Sequence, residues 1–293
     1  MSNPISGSAE ALTPPLVIFG CGYVGLRLAQ QARQSGQTVY ALTRRRADFL
    51  AQQGIIPLLG DVLAPETLPP LPAGAQVLYA IGWDRSSGWT MRDVYLRGLA
   101  YVLERLPTPQ RFVYISSTSV YGQCDGSWVD EDSPAEPTDE AGQVVREAEQ
   151  LLHHHLPQAI LLRSAGIYGP NRLLRRRDQL LRGEPIPGDP QRWLNLIHVD
   201  DLITAIRRAF EQTPPATLYN VVDDTPVTRY EFYSFLAELY GAPPPHFAEL
   251  PEPRANHRRI RNTRLRLQLN WQPRYPSIRE GLPAALATSD PST

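Results

Sequence analysis

Lysine is absent from this chain: all 29 basic residues are arginine. That excludes a phosphate-binding P-loop, which needs a Lys after its glycines, and it excludes Schiff-base chemistry. Cysteine is scarce. Two thiols, Cys21 and Cys124, cannot frame a disulfide-stapled fold, so a reducing, cytoplasmic setting is expected. An excess of either charge is also missing. With 29 basic and 30 acidic side chains the formal net charge is −1, and nothing electrostatic favours nucleic acid as a partner. No apolar run reaches the roughly 18 residues that would suggest a membrane span. The opening stretch, MSNPISGSAEALTPP, has neither a basic flank nor an apolar core, so it reads as a disordered lead-in and not as a secretory signal.

What is present is a regular alternation. Apolar, strand-like runs at Leu16–Gly20, Thr38–Leu42, Ile55–Leu59, Gln76–Ile81, Arg111–Ser116 and Ala159–Arg163 alternate with helical patterns. The helices are expected at Tyr23–Ser35, Ala47–Gln53, Met91–Leu106 and Asp139–Leu156. Continuously apolar strands belong to a sheet covered on both faces. The βαβ rhythm predicts an α/β fold built on a Rossmann-type, doubly wound parallel sheet. A helix at Val199–Glu211 and a strand at Leu218–Val222 are expected to return to that sheet. The last third is richer in Pro and Arg, with helices at Thr228–Tyr240, Arg264–Leu269 and Ser277–Ala287. It reads as a smaller C-terminal α/β substrate-side region. The expected division is a lead-in over 1–15, a nucleotide-binding domain over 16–164 joined by 199–222, a substrate-side region over 165–198 and 223–287, and a tail over 288–293.

Between the first strand and the first helix lies GCGYVG, Gly20 to Gly25. In that context Gly20 permits a tight turn, Gly22 lets the backbone approach a pyrophosphate, and Gly25 lets the helix pack on the strand. Tyr23 and Val24 open the helix, whose free N–H groups and positive dipole end suit phosphates. An NAD site usually places a carboxylate at the end of the second strand, to hold the ribose hydroxyls. Here that place reads Thr43-Arg44-Arg45-Arg46. Arg44 and Arg45 can clamp a 2′-phosphate through bidentate contacts, which points to NADP ahead of NAD. A solvated charge run is the plainer alternative. Asp61 and Val62 are expected near the adenine, and Ala80, Ile81 and Gly82 near the ribose or nicotinamide.

GCGYVG, Gly60-Asp61-Val62, ISSTSVYG (Ile115–Gly122), LLRSAGIYGP (Leu161–Pro170) and LIHVDDL (Leu196–Leu202) occur in that order. The set resembles the NAD-dependent epimerase/dehydratase family, in the extended and atypical branches of the short-chain dehydrogenases/reductases. The resemblance spans residues 16–287. It implies that Ser117 hydrogen-bonds the substrate oxygen, that Tyr121 is a further catalytic candidate, and that Tyr168, Asn171, Arg172 and Asn195 face the substrate. The family's Tyr-x-x-x-Lys pair is missing, because the matching helix carries Ala141 and Val145 at those positions. Tyr95 stands where an Asn often completes the set. The family's Lys lowers the pKa of the tyrosine beside it; an unaided phenol near pKa 10 is only about 0.1% ionised at pH 7. Besides Tyr121, the groups open as substitutes are Tyr95, Tyr168, His198, Asp125, Asp130 and Glu131.

His153-His154-His155 diverge around a helix end and predict no metal site. Arg175-Arg176-Arg177 is either a pyrophosphate contact or a solvated run. Two functional readings stay open. One is an NAD(P)-dependent oxidoreductase or epimerase acting on a hydroxyl or carbonyl carbon of a small, nucleotide-linked substrate. The other is a non-catalytic NADP-binding redox sensor or regulatory protein. The resemblance also points to the helices Met91–Leu106 and Asp139–Leu156 as a surface for a homodimer.

Overall fold

The computed structural model describes residues 13–172, 177–248 and 256–289. Residues 1–12 of the expected lead-in, Arg175 and Arg176 of the arginine run, and the tail beyond 289 lie outside the described residues.

Seven strands form the central sheet: β1 (Leu16–Phe19), β2 (Val39–Thr43), β3 (Ile56–Leu59), β4 (Gln76–Tyr79), β5 (Arg111–Ser117), β6 (Ile160–Ser164) and β7 (Leu218–Val221). Their spatial order is β7-β6-β5-β4-β1-β2-β3, and every neighbouring pair is parallel. The helices are α1 (Tyr23–Gln34), α2 (Ala47–Gln52), α3 (Gly98–Arg105), α4 (Glu140–His155), α5 (Arg177–Leu181), α6 (Val199–Glu211), α7 (Arg229–Tyr240), α8 (Thr263–Gln268) and α9 (Ile278–Ala287).

The continuous apolar run of β1 is explained by its place between two helical layers. Side chains alternate across a strand. Leu16 and Ile18 pack with α1 and α6, whereas Val17 and Phe19 pack with α3 and α4. All four are buried. Each such side chain contributes about 1.5–3 kcal/mol by leaving water.

The helix expected over Met91–Leu106 carries a π turn at Asp93–Arg97, which runs directly into α3. The C-terminal part also differs from its expected placement. Leu265, Leu269 and Trp271 do not stay on the substrate side but join the core of the α1/α6 layer. The Trp271 Nε1–H donates to Thr204 Oγ1 at 2.9 Å, which ties this segment to α6.

The smaller region hangs from the C-terminal ends of β6 and β7. Gly166–Tyr168 pairs in parallel with Leu196–His198, and Arg259–Ile260 pairs in parallel with Trp128–Val129. Tyr168, Leu180, Phe232, Leu236 and Leu282 make its own core between α5, α7 and α9. α7 begins with a capping box between Thr228 and Glu231.

From β1 the chain proceeds outward through β2 and β3, then returns to β4 on the other side of β1. Strand order therefore reverses between β1 and β4. In open parallel sheets this switch point leaves a crevice at the C-terminal strand ends, where ligands bind.

Candidate active site

The crevice is real and long. Its outer lobe, about 680 Å³, is lined by the Gly20–Gly22 turn, Thr43 to Arg46, Gly60 to Leu63 and Ala80 to Gly82. Its inner lobe, about 500 Å³, is lined by Tyr23, Val24, Tyr95, Tyr114, Ser117, Val145 and Arg172, among others. Gly20, Gly22, Ala80, Ile81 and Gly82 line both lobes, so they form one cleft.

The glycines divide the work as their spacing predicts. Gly20 has φ +95°, and a Cβ there would lie 2.4 Å from the Ala80 carbonyl oxygen. A Cβ on Gly25 would lie 2.4 Å from the Gly20 carbonyl oxygen. These two are required by backbone packing. Gly22 differs, because a Cβ there meets nothing within 4 Å. Its missing side chain leaves open cleft beside the start of α1, whose N-cap carries no side-chain hydrogen bond and whose first turn has no acidic residue. The unpaired N–H groups there are a cradle suited to a pyrophosphate. Cys21, between the two glycines, is buried, and burial pushes its thiol up to about 11 against the opposing charge of Arg46.

At the end of β2 the side chains of Arg44, Arg45 and Arg46 are all exposed at the outer lobe. The Arg44 guanidinium stands 3.7 Å from the Asp61 carboxylate. Asp61 also accepts from the Leu63 backbone N–H at 3.0 Å, which shapes the turn after β3. Arg46 bends back and donates to the Cys21 carbonyl, spanning from β2 to the glycine turn. Sequence reasoning singled out Arg44 and Arg45 and missed Arg46. Three adjacent arginines look alike until the backbone shows which one turns inward.

In the inner lobe, Ser117 is the last residue of β5. Its Oγ accepts the Ser119 backbone N–H at 3.1 Å, which leaves its proton to donate. Val145 lines the lobe, while Ala141, a turn earlier on α4, is exposed and does not. Tyr114 is buried, and its phenol is driven far above its ordinary value by burial, then by Tyr95 and Glu149. Arg172 lines the lobe with its guanidinium 5.0 Å from the Tyr23 ring centroid.

Several expected site residues are elsewhere. Tyr121 is fully buried and lies behind the cleft, where its O–H donates to Asn220 Oδ1 at 2.9 Å and the Arg163 guanidinium covers its ring. The turn after Ser117 carries that side chain into a core cluster with Val129, Val145, Val222 and Ile260. Tyr168 is also fully buried, 5.3 Å from the His198 ring, in the core of the smaller region. The Asn195 amide is spent on the 258–260 backbone: it donates to the Arg258 carbonyl at 2.9 Å and accepts the Ile260 N–H at 2.8 Å. Asn171 adopts φ 62° at the surface and lines neither lobe.

The substitute acids and bases sort the same way. Asp125 and Asp130 accept hydrogen bonds from their own loops, and Glu131 accepts the Asn220 N–H at 2.7 Å. Burial raises Glu131 above the usual carboxylate range. His198 Nδ1 accepts the Asp200 N–H at 3.2 Å, and burial lowers its imidazole. None of the four lines the cleft.

A parallel α/β sheet with a glycine cradle at its switch point defines a dinucleotide-binding protein. Comparison with known proteins narrows the class. The model of the NAD dependent epimerase/dehydratase family matches residues 16–221, and the chain belongs to that family. Protein YeeZ of Escherichia coli (strain K12) is 34% identical over 138 residues, 47% of this chain and 48% of that protein. The chain thus spans about half the length of the curated relatives it matches. A structure from Methylobacillus flagellatus, assigned to the NAD-dependent epimerase/dehydratases, is 31% identical with a TM-score of 0.74, covering 94% of this chain and 98% of that one. UDP-glucuronic acid 4-epimerase from Bacillus cereus, in complex with UDP-glucuronic acid and NAD, shares the fold at 20% identity with a TM-score of 0.76, covering 93% and 98%. The family's cofactor is a nicotinamide dinucleotide, and the open space beside Gly22 fits its pyrophosphate.

Proposed function

We propose that this protein is an NADP-dependent oxidoreductase or epimerase acting on a hydroxyl or carbonyl carbon of a small, nucleotide-linked substrate. One observation supports this above the others. A single cleft runs from three arginines at one end, past the open Gly22 cradle, to the Ser117 hydroxyl at the other. Bound there, a nicotinamide dinucleotide supplies or accepts a hydride.

The protein's own residues do the rest. The α1 N-terminus holds the pyrophosphate. Val62 and Asp61 flank the adenine. Arg44 and Arg45 hold the 2′-phosphate, with Arg46 beside them; the exposed Arg44–Asp61 pair is weak enough to yield to a phosphate. Ala80, Ile81 and Gly82 pass under the ribose. Ser117 donates a hydrogen bond to the substrate oxygen and polarises it. Arg172, at the mouth of the inner lobe, meets an anionic part of the substrate. We further propose that the protein acts in the cytoplasm and pairs with a second copy through α3 and α4.

A second reading has a specific observation behind it. Val145 occupies the cleft wall where the family's Lys would face the tyrosine. A cofactor-binding redox sensor without turnover fits that loss. Hydride-transfer assays with NADPH over vicinal diketones, aromatic aldehydes and 4-keto-sugar nucleotides separate the two. The enzyme reading expects turnover of at least one, abolished in Ser117→Ala with NADPH affinity unchanged. Tight NADPH binding without any turnover, and a Ser117→Ala protein indistinguishable from wild type, contradicts it.

A further inference from the structure

Among the described residues, the walls of the inner lobe contain no Asp, Glu or His side chain. Besides the Arg172 guanidinium, the side chains of this lobe that carry a transferable proton are hydroxyls. Six hydroxyl side chains line the lobe: Tyr23, Tyr95, Tyr114, Ser116, Ser117 and Ser164. Three have already spent their protons. Tyr23 donates to the Pro170 carbonyl at 2.9 Å, Ser116 to Glu149 Oε1 at 2.6 Å, and Ser164 to the Ala165 carbonyl at 3.1 Å.

Ser117 keeps its proton, but an aliphatic hydroxyl cannot release it alone near neutral pH; it can only pass one on. Tyr114 sits in the sheet with its ring 5.6 Å from that of Tyr79, buried too deeply to ionise. Tyr95 is placed differently. It is half-buried and reaches the lobe from the helical segment that follows β4. The backbone N–H of Trp83 donates to its Oη at 3.1 Å. That bond fills one lone pair and anchors the phenol, so its O–H proton remains to be donated.

Its backbone setting is uncommon. Tyr95 is the middle residue of the Asp93–Arg97 π turn. Successive residues of an α-helix are about 100° apart, so the extra residue in a wider turn re-aims the side chains beyond it. π turns of this kind are frequent at functional sites.

We propose that Tyr95 is the proton donor of this cleft, acting on the substrate oxygen beside Ser117. The inference rests on the hydride-transfer reading above. In the reducing direction the Tyr95 O–H bond breaks and its proton joins the carbonyl oxygen. The carbonyl carbon meanwhile accepts a hydride, with its electron pair, from a reduced nicotinamide dinucleotide, which is oxidised. The Tyr95 phenolate regains a proton from water at the mouth of the cleft. In the oxidising direction each transfer runs backwards.

Two measurements on the full-length protein test this. The first uses protein carrying labelled tyrosine and NADPH, with Tyr95→Phe to assign the Tyr95 signals. Nuclear Overhauser cross-peaks are expected between the nicotinamide ring protons and the Tyr95 ring. The second compares wild type and Tyr95→Phe in the carbonyl assays, with calorimetry of NADPH alongside. Turnover is expected to fall at least about 100-fold with NADPH affinity unchanged.

NADPH bound without cross-peaks overturns the inference and leaves the cofactor reading standing. A Tyr95→Phe protein that reduces the same carbonyl near the wild-type rate also overturns it, even with cross-peaks. Failure of NADPH to bind, or of the wild type to reduce any carbonyl, removes the reading on which the inference rests, and the inference falls with it.

Discussion

Arg163 grips Glu149 inside the protein, Nε to Oε1 at 2.9 Å and Nη2 to Oε2 at 2.8 Å, with both side chains almost completely buried. The same carboxylate accepts Ser116 Oγ at 2.6 Å and Arg146 Nη1 at 3.1 Å. It thus joins α4 to β5 and β6 directly beneath Ser117. Removing one partner of a buried pair leaves an uncompensated charge. Glu149→Ala is expected to destabilise the fold by about 3–5 kcal/mol in urea unfolding. A loss below about 1 kcal/mol would place the pair in the range of exposed ones and contradict this role.

Asp223 offers the opposite case. It is buried, neither carboxylate oxygen has a hydrogen-bond partner close enough to satisfy it among the described residues, and burial holds its acid well above the ordinary value of 3.8. The nearby Thr225 N–H is only a partial counterweight. A raised carboxylate means that the native state binds protons more tightly than the unfolded chain. Its contribution to stability therefore falls as pH climbs from 3.8 upward. Asp223→Asn is expected to raise Tm by a few degrees at about pH 7 and to change it little at about pH 4. A variant less stable than wild type at both pH values would contradict the assignment.

The two glycines of the turn should separate folding from binding. Gly20→Ala forces a Cβ against the Ala80 backbone at a positive φ, so Tm should drop. Gly22→Ala adds a methyl to open cleft, so Tm should hold while NADPH affinity falls about tenfold or more. Equal affinity for Gly22→Ala and wild type would move the pyrophosphate elsewhere.

Tyr121 lends itself to a similar separation. Tyr121→Phe loses its hydrogen bond to buried Asn220 and is expected to cost about 1–2 kcal/mol of stability. Because its hydroxyl faces the core and not the cleft, any turnover should survive. Loss of turnover with stability intact would return Tyr121 to the site.

The central sheet was legible because its inner strands are buried on both faces, while the edge strand Ile56–Leu59 is partly exposed. Leu16–Phe19 reads as an unbroken apolar run, Ile160–Leu162 opens Ile160–Ser164 in the same way, and the helix Val199–Glu211 has the bounds expected from its pattern. The two-residue strands at Trp128–Val129 and Arg259–Ile260 were not legible. Their pairing depends on a chain return more than a hundred residues later. The glycine turn could be read because Gly20 and Gly25 answer local backbone demands. Tyr121, Tyr168 and Asn195 show the limit. A motif position fixes where a residue lies along the chain, but one turn decides whether its side chain enters the cleft or the core. The π turn that contains Tyr95 leaves no periodicity to read, since it is a single irregular turn inside an otherwise helical run.

Calorimetric titration of NADPH and NADH, each against wild type and against a protein with Arg44 and Arg45 both changed to Ala, tests the proposed NADP site. Wild type is expected to bind NADPH at least about tenfold more tightly than NADH, about 1.4 kcal/mol, and the double variant to lose that preference while keeping NADH affinity. NADH bound as tightly as NADPH by wild type, or an equal loss of both cofactors in the variant, would contradict that proposal.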